Sequence, residues 1–415
     1  MLTRLRMSTA GESHGPRLCA LLEGMPAGLR IDQGQLDALL ARRQRGFGAG
    51  GRMKIERDSA RIYAGVADGR TSGGPIALEI RNKDWAAWRG KPIAPMTRPR
   101  PGHADLAAAQ KYGYDDLRHG LERASARETA ARVAAGGVAL QLLVALGVRI
   151  GGHVRRIGTA RAAFADPGGG AEAIAAWHAA LDLAADDEMG ATSGADADAF
   201  RAEVKKAIAA RDTLGGEIEV VALGLPPGLG SHVAWQDRLD GRLAMAMASI
   251  PAMKGVEFGA GFAQTALRGT EVHDAIDHDA QGNLRRLTNR CGGLEGGMST
   301  GEPLVIRVAM KPIATTLRGI ATVDLRDGSS SETAYERSDI CAVPRALPIA
   351  ESMAALVLAD AMLLKLGGDS LGEILPRLGA MRRGRPGELE LRGDPWSFAY
   401  TEAPAPEPQS GEADV

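Results

Sequence analysis

The chain has 415 residues, and its 50 basic and 51 acidic side chains leave a formal net charge of −1, which speaks against a nonspecific binder of nucleic acid or other polyanions. Its 45% hydrophobic content is enough to bury a sizeable core, so wholesale disorder is excluded. Three cysteines (Cys19, Cys291 and Cys341) without a CxxC pair exclude a disulfide framework and a cysteine-rich zinc site, and make a reducing cytoplasm the expected compartment.

The N-terminus has basic residues but no apolar stretch of signal-peptide length, and no uninterrupted apolar run nears the roughly 20 residues that span a bilayer, so no membrane partner is expected. Charge is unevenly spread: residues 1–132 carry a net +9 and the remainder −10. A basic third in a neutral protein suits a pocket for a small anion, although on charge alone a solvated basic surface is the simpler reading.

Along the chain, a short β-like start leads to Gly11-Glu-Ser-His-Gly15, where flanking glycines allow a sharp turn and a histidine suited to proton transfer. Asp32–Gln44 has helical periodicity, with Leu36, Leu39 and Leu40 on one face. Gly46–Gly51 spells GxGxxG, but an arginine-rich helix precedes it instead of a strand. A dinucleotide fold is therefore rejected in favour of a glycine loop presenting Arg42, Arg43, Arg45 and Arg52 to an anion. Ala60–Val66 and Pro75–Arg81 alternate as strands. Arg98–Asp105, with its prolines and Gly102, is a rigid turn that sets Arg100 beside His103.

Ala126–Leu146 is apolar nearly all round and reads as a buried helix, opened by a capping box between Ser125 and Glu128. Its N-terminus, with Arg123 and Arg127, is a candidate anion cradle, for which ordinary capping is the plainer alternative. Residues 160–215, rich in Ala, Asp and Gly, read as an insertion of amphipathic helix and loop. Strands are expected at Glu217–Leu225, Pro303–Met310 and Gly319–Leu325, and helices at Gln236–Ser249 and Ser352–Leu366, the last stopped by Gly367-Gly368. The glycines of 289–298 leave room for a flat cofactor against backbone, Lys311 stands at a strand end, and Asp339 follows an Arg-Ser pair. Residues 401–415, with three prolines and four acids, read as a disordered tail. No His, Cys or carboxylate spacing matches a metal-ligand pattern, and no metal is expected. Strands and helices alternate throughout, so residues 1–400 are expected to form a single α/β or α+β domain.

Seven of these segments, in this order, resemble the chorismate synthase family: Gly11–Gly15, Gly50-Gly-Arg52-Met-Lys54, Arg100-Pro-Gly-His-Ala-Asp105, Lys111-Tyr-Gly-Tyr-Asp-Asp116, Ser125-Ala-Arg-Glu-Thr129, Lys254-Gly-Val-Glu-Phe258 and Arg337-Ser-Asp339. The resemblance implies a β-α-β sandwich with buried central helices between antiparallel sheets, assembled as a homotetramer. It also implies 1,4-anti elimination of phosphate from 5-enolpyruvylshikimate 3-phosphate, with reduced FMN required but no net redox change. By the family pattern His14 protonates the departing phosphate, His103 sits beside the flavin, and Asp339 takes up the C6 proton through the flavin. Cofactor contacts carry over to Arg123, Ala124, Ser125, Pro251, Ala252, Gly296, Lys311, Pro312, Ile313, Ala314, Thr315 and Arg337. Contacts to substrate or NADP carry over to Ser13, Arg43, Ala49, Arg52, Arg100 and Arg127. NADPH is expected only as an external reductant, since no nicotinamide domain is recognisable.

The chain departs from the family at Ala124 for a common Ser, Pro251 for Asn, Ile340 for Pro, and Ala49 for an arginine that Arg45 is expected to replace. Loss of His14, His103 or Asp339 would have pointed to a catalytically silent flavin- or anion-binding homologue; all three are present.

Overall fold

The computed structural model describes residues 2–48, 58–279, 282–333, 338–381, 385, 387–388 and 391–396. Ala49, Arg52, Arg337 and the tail at 401–415 lie outside the described residues.

Two antiparallel sheets flank the central helices. The first, from β1 (Arg6–Ala10), β2 (Arg17–Glu23), β3 (Ala60–Ala64) and β4 (Ile76–Arg81), has the order β1-β2-β4-β3. The second, from β5 (Arg149–Ile157), β6 (Ala160–Arg161), β7 (Gly216–Leu223), β8 (Met253–Phe258) and β9 (Leu304–Met310), has the order β8-β9-β7-β5-β6. Strand β4 turns Ile76, Leu78 and Ile80 into the core, the period-two pattern of a half-buried strand. Of the strands expected from sequence, Gly319–Leu325 shortens to a two-stranded ribbon at Ala321–Val323.

The helices that matter for the core and the cleft are α1 (Gln33–Gln44), α2 (Asp105–Tyr112), α3 (Arg118–Ala124), α4 (Thr129–Ala145), α5 (Ala171–Asp186), α6 (Gly194–Ala210), α7 (Leu239–Ala248) and α8 (Val343–Leu366). Helix α4 packs on the first sheet, α8 on the second, and the two pack on each other. The expected sandwich with internal helices is therefore what forms. The segments Arg118–Ala145 and Val343–Leu366 are apolar and long enough to cross a membrane by composition, but their apolar windows are 78% and 94% buried inside the protein. They are core helices.

Two local readings need correction. Ser125 accepts the Arg127 N–H at 3.3 Å, but Glu128 does not return to Ser125; its carboxylate accepts the Thr9 hydroxyl at 2.6 Å and binds Arg132 at 2.9 Å. Residues Ala126–Glu128 accordingly form a 3-10 turn before α4 starts at Thr129. Helix α8 starts at Val343, nine residues before the expected Ser352. Pro344 is tolerated in its first turn, where an N–H has no intrahelical acceptor, and Pro348 is accommodated inside with Ser352 Oγ donating to its carbonyl at 2.6 Å. Residues 160–215 hold two helices whose Trp177 and Phe200 are fully buried: Trp177 closes the outer face of the second sheet with Leu181, Val221, Leu223 and Val305, and Phe200 joins the main core.

Helices α4 and α8 approach until backbone meets backbone. A Cβ built on Gly136 would collide with Cβ, Cα and O of Ser352. Gly136→Ala is expected to destabilise the protein by about 1–3 kcal/mol, the usual cost of overpacking. A urea midpoint equal to that of the parent at unchanged m would contradict this.

Candidate functional site

A cleft of about 760 Å³ opens where the N-terminal turn of α4, the end of α3 and the start of α8 meet the β1–β2 loop. Eight basic side chains line it (Arg43, Arg100, Arg118, Arg123, Arg127, Arg132, Lys311 and Arg345) against three acidic ones, Asp84, Glu128 and Asp339. That imbalance is the electrostatic signature of an anion site.

The β1–β2 loop places His14. Gly11 has φ +110° and a Cβ there would stand 2.5 Å from the Arg17 carbonyl, so only glycine fits. Asn82 Nδ2 donates to the carbonyls of Ser13 and Gly15 at 3.0 and 2.9 Å, and Ser13 N–H donates to the Glu122 carbonyl at 3.1 Å. Glu122 then takes both His14 groups, the backbone N–H at 2.7 Å and ring Nδ1 at 2.6 Å. Burial pushes the Glu122 carboxyl up, but the His14 hydrogen bonds outweigh it and hold it below the usual glutamate range. Proton exchange with a ligand thus falls to Nε2. The Trp88 ring meets the imidazole edge-on at 4.8 Å.

His103 is built in parallel. Its Nδ1 lies 2.6 Å from Asp105 Oδ1, and Asp105 also holds Arg100 through Nε at 2.8 Å and Nη2 at 2.9 Å. Asp105 is fully buried at the first turn of α2. Burial pushes its carboxyl up, yet the hydrogen bonds from Arg100 and then His103 prevail and keep it far below the ordinary aspartate value. The guanidinium of Arg100, expected to meet substrate, is thereby committed to Asp105 and, at 3.3 Å, to Thr315 Oγ1.

On the facing wall Arg43 is 4% exposed, its Nε donating to Thr129 Oγ1 at 3.0 Å and Nη2 to the Ala126 carbonyl at 2.8 Å. Burial first, and the neighbouring Arg345 second, push its pKa down to about 9, against the opposing pull of Asp58. Arg127 pairs with the same Asp58 at 2.6 Å. Asp339 is paired with Arg345. Arg123 donates to the Thr9 carbonyl at 3.1 Å and hydroxyl at 2.9 Å. Lys311 Nζ donates to the Gly102 carbonyl, and its N–H to the Ala252 carbonyl at 3.0 Å. Burial and Lys254 push the Lys311 ammonium below its usual pKa. Ala252 holds φ +70°, a left-handed conformation that costs a non-glycine residue about 1–2 kcal/mol and is typical of ligand sites.

The cleft thus gathers Ser13, His14, Arg43, Arg100, His103, Arg123, Ala124, Ser125, Arg127, Pro251, Ala252, Lys311, Ile313, Ala314, Thr315 and Asp339 from segments far apart in sequence. Pro312 is flanked by lining residues without lining the cleft itself, and Gly296 lies outside it, in the turn between Leu294-Glu295 and Met298-Ser299. Arg42 and Arg45 do not line it either. Arg42 is held by the buried carboxylate of Glu351 at 2.8 and 3.0 Å, and Arg45 donates to the Ala185 carbonyl at 3.1 Å. At Ile340 the N–H donates to the Gly48 carbonyl at 3.0 Å, a bond that proline could not make. Sequence reasoning missed Trp88, Arg118 and Arg345 in the lining, and Asp58 behind it. Nothing in their local spacing marks them.

Asp105 links the site to acid stability. A carboxyl held below its unfolded value stabilises the fold above that value and loses the contribution as pH falls towards the folded one. Asp105→Asn is expected to cost about 3–5 kcal/mol near neutrality, because Arg100 is left buried and unpaired. It should also flatten the decline in urea midpoint below about pH 4. An acid limb as steep as the parent's would exclude Asp105 as its source.

The family profile described as Chorismate synthase matches residues 5–363. The chain is 50% identical over 390 residues to the chorismate synthase of Thermobifida fusca (strain YX), covering 90% of this chain and 97% of that protein. It is 51% identical over 381 residues to the chorismate synthase of Desulforudis audaxviator (strain MP104C), covering 89% and 95%. Its fold is similar to a solved crystal structure of chorismate synthase, with a TM-score of 0.74 at 40% identity, over 91% of this chain and 97% of that one. The order of the motifs, the basic cleft they build and these likenesses have one common explanation: the chain belongs to the chorismate synthase family.

Proposed function

We infer that this cleft is where the chain performs the family's reaction, the 1,4-anti elimination of phosphate from 5-enolpyruvylshikimate 3-phosphate to give chorismate, on the route to aromatic amino acids. The chain is a carbon–oxygen lyase acting on phosphate. The observation that carries the assignment to the cleft is the meeting of His14, His103 and Asp339 with eight basic side chains around one opening.

A polyanionic substrate and a departing phosphate both need cations in a partly dry site, where each charge acts more strongly than in water. Arg43, Arg127 and, outside the described residues, Arg52 supply them in this reading. Arg43 Nη1 is buried with no hydrogen-bond partner among the described residues, a donor a ligand oxygen would satisfy. As an imidazolium, His14 donates the proton to the leaving phosphate from Nε2 while Glu122 holds the Nδ1–H and orients the ring. Asp339 accepts the proton lost from C6. Arg100 and Asp105 orient His103 instead of contacting substrate.

The residues present fit FMN. Pro251, Ala252, Met310, Ile313 and Ala314 give a flat group an apolar wall, and Arg123 and Lys311 give its phosphate positive charge. Arg118 Nε is a further buried donor without a hydrogen-bond partner among the described residues. Reduced FMN, when bound, supplies a transient electron that weakens the C–O bond, with no net redox change. NADPH enters this reading only as the external reductant, and the homotetramer only as the assembly state common to the family.

The test is anaerobic: protein, photoreduced FMN and 5-enolpyruvylshikimate 3-phosphate, with chorismate absorbance and phosphate followed together. Both should appear in equal amounts while the flavin stays reduced. Asp339→Asn should bind flavin and substrate yet turn over about 10²-fold more slowly or worse; turnover near the parent's would remove Asp339 from the role of acceptor.

A further inference from the structure

Arg345 belongs to no role described so far. It stands in the first turn of α8, just after Pro344, and is 12% exposed at the cleft wall. Its guanidinium works in two directions. Nη1 pairs with Asp339 Oδ2, while Nε donates to the main-chain carbonyl of Arg43 at 3.0 Å. That carbonyl belongs to the last turn of α1, where orphan carbonyls attract a cation. A second tie runs alongside, from the Ile340 N–H to the Gly48 carbonyl at 3.0 Å. Gly46, at φ +140°, is packed so closely that a Cβ there would lie 3.4 Å from Arg345 Cγ.

We propose that Arg345 is the positioning residue for Asp339, fixing its carboxylate against the C-terminal end of α1 and so setting the acceptor in register with Arg43, which α1 brings to the cleft wall. The planar fork is what the geometry uses: one edge takes a carboxylate and another a carbonyl, and the bond to that carbonyl joins residues 302 positions apart in sequence. Without it, Asp339 keeps its chemistry but loses its orientation, and misplacement by even about 1 Å slows a proton transfer severely. The proposal rests on the reading of Asp339 as acceptor.

The experiment compares the full-length protein with Arg345→Gln, Arg345→Lys, Arg345→Ala and Asp339→Asn, using reduced FMN under anaerobic conditions and substrate with hydrogen or deuterium at C6. Arg345→Gln is expected to lower kcat by about 10²-fold while KM moves less than about threefold. The deuterium isotope effect on kcat should grow, because proton removal becomes the slow step. Arg345→Lys should recover only part of the rate, and added guanidinium should partly restore Arg345→Ala. Substrate affinity of the flavin-free protein, by calorimetry, and the melting temperature should match the parent's. A raised KM with unchanged kcat would make Arg345 a substrate ligand and overturn the proposal. So would a lost rate with an unchanged isotope effect and a lowered melting temperature, which marks a structural role. Full activity in Arg345→Gln beside a dead Asp339→Asn overturns the positioning role alone; an active Asp339→Asn overturns the acceptor and the proposal together.

Discussion

Everything in this molecule hangs on the contact between α4 and α8. Both helices are apolar nearly all round, so neither can face water, and each must be covered on one side by a sheet and on the other by its partner. Gly136 lets the two backbones close to the point where no side chain fits between them. The closeness matters at the ends as much as in the middle. The N-terminal ends of both helices emerge together at the cleft, the 3-10 turn leading into α4 presenting Ser125 and Arg127 and α8 presenting Arg345. A core-packing requirement thus fixes where the reactive wall stands.

The second organising feature is how the protein carries so many cations in one place. Some are neutralised internally and become scaffolding: Arg100 is used up by Asp105, Arg42 by Glu351, and Arg242 by Asp360, whose oxygens also receive the N–H groups of Thr3, Arg4 and Leu5. Others are left with less negative charge than they need. Arg43 is buried beside Arg345 and Arg127 and shares Asp58 with Arg127; burial first, then Arg345, pushes its pKa down to about 9 against the pull of Asp58.

The two histidines show one device used twice. Each has Nδ1 held by a carboxylate, Glu122 for His14 and Asp105 for His103, and each carboxylate is itself kept ionised by the groups it orients. Fixing one ring nitrogen assigns the proton chemistry to the other, so a titratable side chain acquires a direction as well as a charge. Asp105 was in view in the sequence as the last residue of Arg100–Asp105, but nothing local marked Glu122 as the partner of His14. Glu122 reaches a residue 108 positions away.

What the sequence by itself determined was the mixed α/β class, the buried character of the central helix, the strands at Ala60–Ala64 and Ile76–Arg81 of the first sheet and the order of the motifs, because period-two and helical burial and turn chemistry are properties of neighbouring residues; Arg17–Glu23 was not marked as a strand. The tertiary structure alone decided which charged groups reach the cleft. Arg42 and Arg43 are adjacent, yet successive side chains on a helix point about 100° apart, so one went to Glu351 and the other to the cleft. Likewise the Ser125–Glu128 spacing satisfied a capping box on paper, but Thr9 and Arg132 offered Glu128 better partners. Long-range pairing chooses among donors that local spacing leaves equivalent, and for buried charges that choice is set by the cost of leaving any of them alone.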